Sequence, residues 1–202
     1  MPALSIRVLT FGALPLILIA GHASRGWAQP LAPRTVPLAV APEIPTNIES
    51  LLAAPNVVLV TDYYRIDMRF GPSLRIDAVV VEAVDSKTRL RGLRVQVRDN
   101  ENRSRQDGTS FLDMDEIGKL SRALTSMAQL AERWTGQDDR QATELSFTSA
   151  GGFRLAIRQS ARVPRAYLST RLLDPVVTSI DVSELVTLKQ AFDQALAILN
   201  GK

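Results

Sequence analysis

The chain has 202 residues, with 24 Lys and Arg against 21 Asp and Glu, one His and no Cys. At 46% hydrophobic and 22% charged it belongs with globular chains rather than disordered or fibrous ones. Loss of an N-terminal signal would remove Arg7, Arg25 and His22. The remainder then lacks imidazole and thiol, which excludes Ser-His-Asp and Cys-His nucleophile pairs and zinc sites built on those ligands. Its near-neutral balance gives no bulk attraction for nucleic acid.

Residues 1–28 have the three parts of a secretory signal peptide. Arg7 is followed by the apolar run Val8–Gly21, and Gly26-Trp27-Ala28 puts small residues at the two positions a signal peptidase inspects. Cleavage is expected after Ala28, with Ala23 as the alternative. The apolar run is shorter than the about 20 residues a spanning helix needs, so no transmembrane helix is expected in the mature chain. A cysteine-free exported chain fits the periplasm or the exterior.

Residues 29–45 (QPLAPRTVPLAVAPEIP) hold five prolines. Proline fixes φ and removes a donor, so this stretch reads as an extended, flexible linker. A short helix is expected from Thr46, because Thr46 and Glu49 have capping-box spacing and Pro55 closes the segment. From Asn56 the pattern turns to strands. Tyr64–Phe70 alternates at period two, Gly71-Pro72-Ser73 reads as a turn, and Leu74–Ala83 and Leu90–Arg98 continue as strands. Asp99–Gly108 has no apolar residue and reads as a loop. In Asp113–Arg133, Ile117, Leu120, Leu124, Met127 and Leu130 or Ala131 recur at helical spacing.

The second half repeats this order. Thr143–Ser149 reads as a strand, Ala150-Gly151-Gly152 as a hairpin turn, and Phe153–Ser160 and Ala166–Leu172 as strands. Asp181–Leu199 reads as a helix with Leu185, Leu188, Phe192, Ala195, Leu196 and Leu199 on one stripe. Asp113 aligns with Asp181, Glu116 with Glu184, Leu120 with Leu188 and Ala123 with Ala191. Upstream, Ile66 aligns with Leu145, Met68 with Phe147, Leu74 with Phe153 and Ile76 with Leu155. The expectation is a single α+β domain over residues 46–202. It is a tandem duplication of an antiparallel sheet followed by one helix (ββββα-ββββα), with repeats at about 56–134 and 143–200 and the helices covering a sheet face.

In topology this order resembles the whirly and coactivator-type folds that bind single-stranded nucleic acid. The phrase Phe111-Leu-Asp-Met-Asp-Glu-Ile117 with its helix is similar to secreted bacterial proteins of unknown function. Neither resemblance brings an activity, since fold does not carry function.

Asp113-Met-Asp115-Glu116 is the densest acidic cluster. A D-x-D metal site and a helix cap compete for it, and the repeat keeps Asp181 and Glu184 but places Ser183 where Asp115 stands. Capping is therefore the expectation, with no metal and no cofactor. Arg65, Arg69, Arg75, Arg94, Arg98, Arg154 and Arg158 stand at strand spacing. Arg94, Arg98, Arg154 and Arg158 are the candidate binding residues, because Arg forks grip anions at two points. Asp67, Asp77 and Glu82 in the same strands offer instead a self-paired face. Tyr63, Tyr64, Trp134 and Tyr167 could line a groove or simply pack. Serines at 121, 169 and 183 have only Lys119 and Lys189 as possible activators, and catalysis has no visible carrier.

The expected function is that of an exported, non-enzymatic binding or accessory protein of the cell envelope. Its partner would be an envelope protein or an anionic ligand met through the Arg-rich sheet face, with no nucleic acid. A hydrolase without a recognisable motif and a structural subunit completing a sheet are the alternatives.

Overall fold

The period-two alternation becomes two four-stranded antiparallel meanders, each followed by a helix. The computed structural model describes residues 44–66, 70, 73–99, 107–134, 143–159, 163–171 and 174–202. The expected signal, the linker before Ile44, loop residues 100–106 and connector residues 135–142 lie outside the described residues. The first unit holds β1 (Leu59–Arg65), β2 (Leu74–Ala83), β3 (Arg89–Arg98), β4 (Asp107–Asp113) and a long helix, with a short helix, α1 (Asn47–Leu52), ahead of them. That long helix is α2 (Met114–Glu132). The second unit holds β5 (Thr143–Thr148), β6 (Arg154–Gln159), β7 (Arg165–Thr170), β8 (Val176–Asp181), a 3-10 turn (Val182–Glu184) and α3 (Leu185–Asn200). Strand order is β1-β2-β3-β4 in one sheet and β5-β6-β7-β8 in the other. Among the described residues no helix is long and apolar enough to cross a membrane.

The inner faces of both sheets and the apolar stripes of α2 and α3 form one core. Leu74, Ile76, Ala78 and Val80 meet Leu93, Val95, Val97 and Leu112, then Ile117, Leu120, Leu124 and Met127. The core continues through Phe153, Leu155, Ile157, Ala166 and Leu168 to Leu185, Leu188, Phe192, Ala195 and Leu199. Of the two stripe candidates in α2, Ala131 is buried and Leu130 is exposed. The second helix does not stay with its own unit. α3 packs along β2 and β3 of the first sheet while its Phe192 ring meets Phe153 of β6 edge-on, centroids 6.4 Å apart. Arg91 of β3 donates to the Leu199 carbonyl at 2.9 Å, placing a cation at the C-terminal end of α3 where the helix dipole favours it. Ser121 of α2 donates to Asp193 of α3 at 2.6 Å, fastening the two helices together. The sheets themselves touch at Gly108 in β4, where a Cβ would collide with Thr170 and Val176.

β2 is buried on both faces, which explains the weak alternation of LRIDAVVVEA. On its outer side Val79 and Val81 are covered by Ile48 of α1, with Leu51, Leu52, Leu59, Leu90 and Phe111 around them. Gly92 makes this seat possible, because a Cβ there would strike the Ile48 side chain and the Leu112 carbonyl. Thr46 and Glu49 form the expected capping box on α1. Its first amides are also held from outside. The Asp113 carboxylate accepts from Asn47 N at 2.8 Å, Asn47 Nδ2 at 2.8 Å and Ile48 N at 3.2 Å.

Three expectations need correction. The first strand is Leu59–Arg65 rather than Tyr64–Phe70, because Leu59 through Arg65 find partners on β2 from Ala83 to Asp77. Residues 67–69, 71 and 72 lie outside the described set. Asp107 and Gly108 belong to β4 rather than to a loop, closed by an Arg98–Asp107 ion pair at 2.7 Å. The registers also refine the repeat. Asp113 answers to Asp181, Leu93 to Ala166 and Ala78 to Ile157, which keeps Leu74 with Phe153 and Ile76 with Leu155. Tyr64 lies opposite Ala78 and Leu145 opposite Ile157, so the Ile66/Leu145 match is two residues out of step.

Asp113 and Asp181 head their helices alike, with Glu116 and Glu184 accepting from their backbone amides at 3.2 and 2.9 Å. Only Asp113 also holds α1. Asp181→Ala should cost about 1 kcal/mol as a lost cap and Asp113→Ala about 2 kcal/mol, read from urea unfolding midpoints. Equal losses would mean that the α1 contact contributes nothing.

Candidate functional site

The outer faces of the two sheets carry the clustered arginines and acids. On the first, Asp77 is fully buried and is surrounded by arginine. Arg75 Nε donates to its carboxylate at 3.1 Å, and Arg94 donates through Nε at 3.1 Å and Nη2 at 2.8 Å. The Arg94 guanidinium lies over the Tyr63 ring, its Cζ 3.8 Å from the centroid. Arg65, on β1, stands opposite Asp77 on the same face. Arg98 is separate from this group and pairs two-pronged with Asp107 at 2.7 and 3.0 Å. That hydrogen bond holds the Asp107 carboxyl below its ordinary range.

On the second sheet Glu144 of β5 accepts from both Arg154 and Arg158, the latter at 2.6 Å. Burial works against ionisation of Glu144, but the Arg158 hydrogen bond and the Arg154 charge prevail and hold it below the usual carboxylate range. Arg158 lies 5.4 Å from the Tyr167 ring centroid. Across the strands runs a row of Glu144, Arg158, Arg165 and Asp181, and beside it a row of Ser146, Ala156, Tyr167 and Ser179.

All four arginines singled out by spacing, Arg94, Arg98, Arg154 and Arg158, therefore carry a carboxylate partner. They fall in three clusters on two sheets rather than in one. Each face combines an acid, two arginines sharing it, a third arginine nearby and a tyrosine under one guanidinium. By register only Arg75 and Arg154 occupy matching positions; Asp77 answers to Ala156 and Arg94 to Tyr167. Glu144 was not singled out by sequence reasoning. The alternation of Thr143–Thr148, which puts Glu144, Ser146 and Thr148 on the polar side, is the signal that marks it.

The acidic cluster disperses. Asp113 holds α1, Asp115 pairs with Lys119 one turn on at 2.7 Å, and Glu116 accepts from the Asp113 and Ala150 amides. Among the described residues no three His, Cys, Asp or Glu side chains converge as metal ligands. Ser121 and Lys189 do not touch as a nucleophile and base would; both bind Asp193, at 2.6 and 2.5 Å. The aromatics do not share a groove either. Tyr63 and Tyr167 are on the outer faces, Tyr64 packs against the core, and Trp134 is buried, its carbonyl accepting from Gln159 at 3.1 Å. A cleft of about 210 Å³ between Ile44, Pro45, Glu49, Gly151 and Arg171 is smaller than the about 300 Å³ at which ligand pockets begin.

No protein-family model matches the chain, and no curated protein matches it. Among solved structures the chain is similar to the whirly protein WHY1 from Arabidopsis thaliana, at 16% identity over 72% of this chain and 86% of that one, with a TM-score of 0.29. A superposition that loose carries no argument about function.

Asp77→Asn leaves the Arg75 and Arg94 guanidiniums, 46% and 17% exposed, facing a neutral group and should destabilise by about 2 kcal/mol in urea unfolding, whereas a loss of under about 1 kcal/mol would show that the pairs are not coupled to the fold. Because the folded Glu144 ionises below its unfolded value, its contribution is complete above pH about 4 and disappears as pH falls through the lower folded value. Glu144→Gln should therefore flatten the acid limb of the stability profile below pH about 4; an unchanged slope would contradict the clamp.

Proposed function

We propose that the chain is an exported, non-enzymatic binding or accessory protein of the cell envelope that meets its partner through an open sheet face. The outer face of the second sheet carries this reading. α1 covers part of the corresponding face of the first sheet, but on the second Glu144, Ser146, Thr148, Arg158, Arg165, Val177 and Asp181 are all exposed. Ser146, Ala156 and Ser179 share a cross-strand row with the partly exposed Tyr167, and Arg158 and Arg165 stand in the row beside it. An aromatic with a polar rim of arginine is the composition of a protein-binding patch. The sequence of residues 1–28 supports export, and a Pro-rich linker supports reach.

A photo-crosslinking residue at Tyr167 should give a discrete adduct in the intact envelope, and one at exposed Val186 of α3 should not. Equal labelling at both sites, or none at Tyr167, contradicts the reading. Mass spectrometry of the exported protein should find a chain beginning at Gln29, or at Ser24 for the alternative cleavage. An intact Met1 in the membrane fraction would contradict cleavage.

A further inference from the structure

We infer that the arginines gathered on Asp77 form a receptor for a tetrahedral oxyanion, a phosphate or sulfate group, on the outer face of the first sheet. Two cations, Arg75 and Arg94, contact one buried carboxylate, and a third, exposed Arg65, stands opposite it on β1. Asp77 neutralises one of the three charges, and the surplus matches a doubly charged anion. Burial gives Asp77 a fixed position, so it orients the guanidiniums instead of following them. Arg94 commits Nε and Nη2 to Asp77, rests over the Tyr63 ring and is 17% exposed. Arg75 commits Nε and is 46% exposed. A guanidinium has five N–H donors, so both keep Nη donors for an outside acceptor. Anchored forks lose little freedom when they bind, which is the condition for gripping a small anion strongly.

The other arginine clusters lack this combination. Arg98 is cancelled one for one by Asp107. Glu144 is on edge strand β5 and is itself a third exposed, so no buried group fixes Arg154 and Arg158. The inference deepens the reading of the chain as a binding protein by naming a ligand class at a second face. It relies on that reading only for where such a ligand would be met.

The test is calorimetric titration of the purified protein with inorganic phosphate, beside flotation with phosphatidylcholine vesicles with and without phosphatidic acid. Saturable binding is expected, weakened about tenfold by Arg75→Ala and by Arg65→Ala. Arg98→Ala should leave it unchanged within about twofold. Circular dichroism confirms that each variant is folded, and Arg75→Lys, which keeps charge but not the fork, should fall between wild type and Arg75→Ala. Binding in either arm with this dependence supports the receptor, and the arm identifies a free or a lipid-borne phosphate. Absence of Arg75-dependent binding in both arms overturns it, as does an equal loss in Arg98→Ala, the signature of bulk charge. A null result here leaves the Tyr167 crosslinking experiment standing.

Discussion

The rest of the structure depends on keeping two apolar sheet faces from water with the two long helices of the described residues. A four-stranded sheet with one helix leaves much of its inner face open, and each large side chain left exposed forgoes about 1.5–3 kcal/mol. Here the two units solve the problem jointly. α3 lies on β2 and β3 of the first sheet while Phe192 reaches Phe153 of the second, and α2 touches β3, β4 and β5. One continuous core results, larger than either repeat could enclose alone. The cross-helix hydrogen bond from Ser121 to Asp193 and the Arg91 contact at the end of α3 fix the helices in this shared arrangement.

The outer faces follow from this division. With α2 and α3 committed inside, α1 is the one helix among the described residues left to shield an outer face, and it covers the end of the first sheet where Val79, Val81 and Gly92 make an apolar seat. The remainder must be satisfied in place, so arginines and acids pair across strands. Such exposed pairs contribute little to stability. Asp77 is the exception because it is buried, and its guanidinium partners are held accordingly.

What was legible in the sequence was local. The period-two runs give β2 and β3 to within a residue, the three-and-four spacing gives the buried stripe of α2, and the D-x-x-E pairs mark both helix starts. The repeat was legible for the same reason, since its strongest matches are core positions of β2 and the helices. Long-range choices were not. An amphipathic stripe says which side of α3 is apolar and nothing about which sheet it will meet. Asp113 satisfies a cap pattern in sequence, so its bonds to α1 leave no separate trace. The arginines of the outer faces were visible at strand spacing, but the burial of Asp77 and the partnership of Glu144 require the neighbouring strands to be in register.

The exchange of α3 onto the first sheet has a consequence for biogenesis. β2 of the N-terminal sheet acquires its α3 cover only when the last element of the chain arrives, so contacts of long sequence separation must close before the shared core is complete. A polypeptide emerging N-terminus first can lay α1 and α2 on the first sheet, but it lacks the α3 packing on β2 until the C-terminal segment is free. Completion of the core is thereby coupled to release of the whole chain.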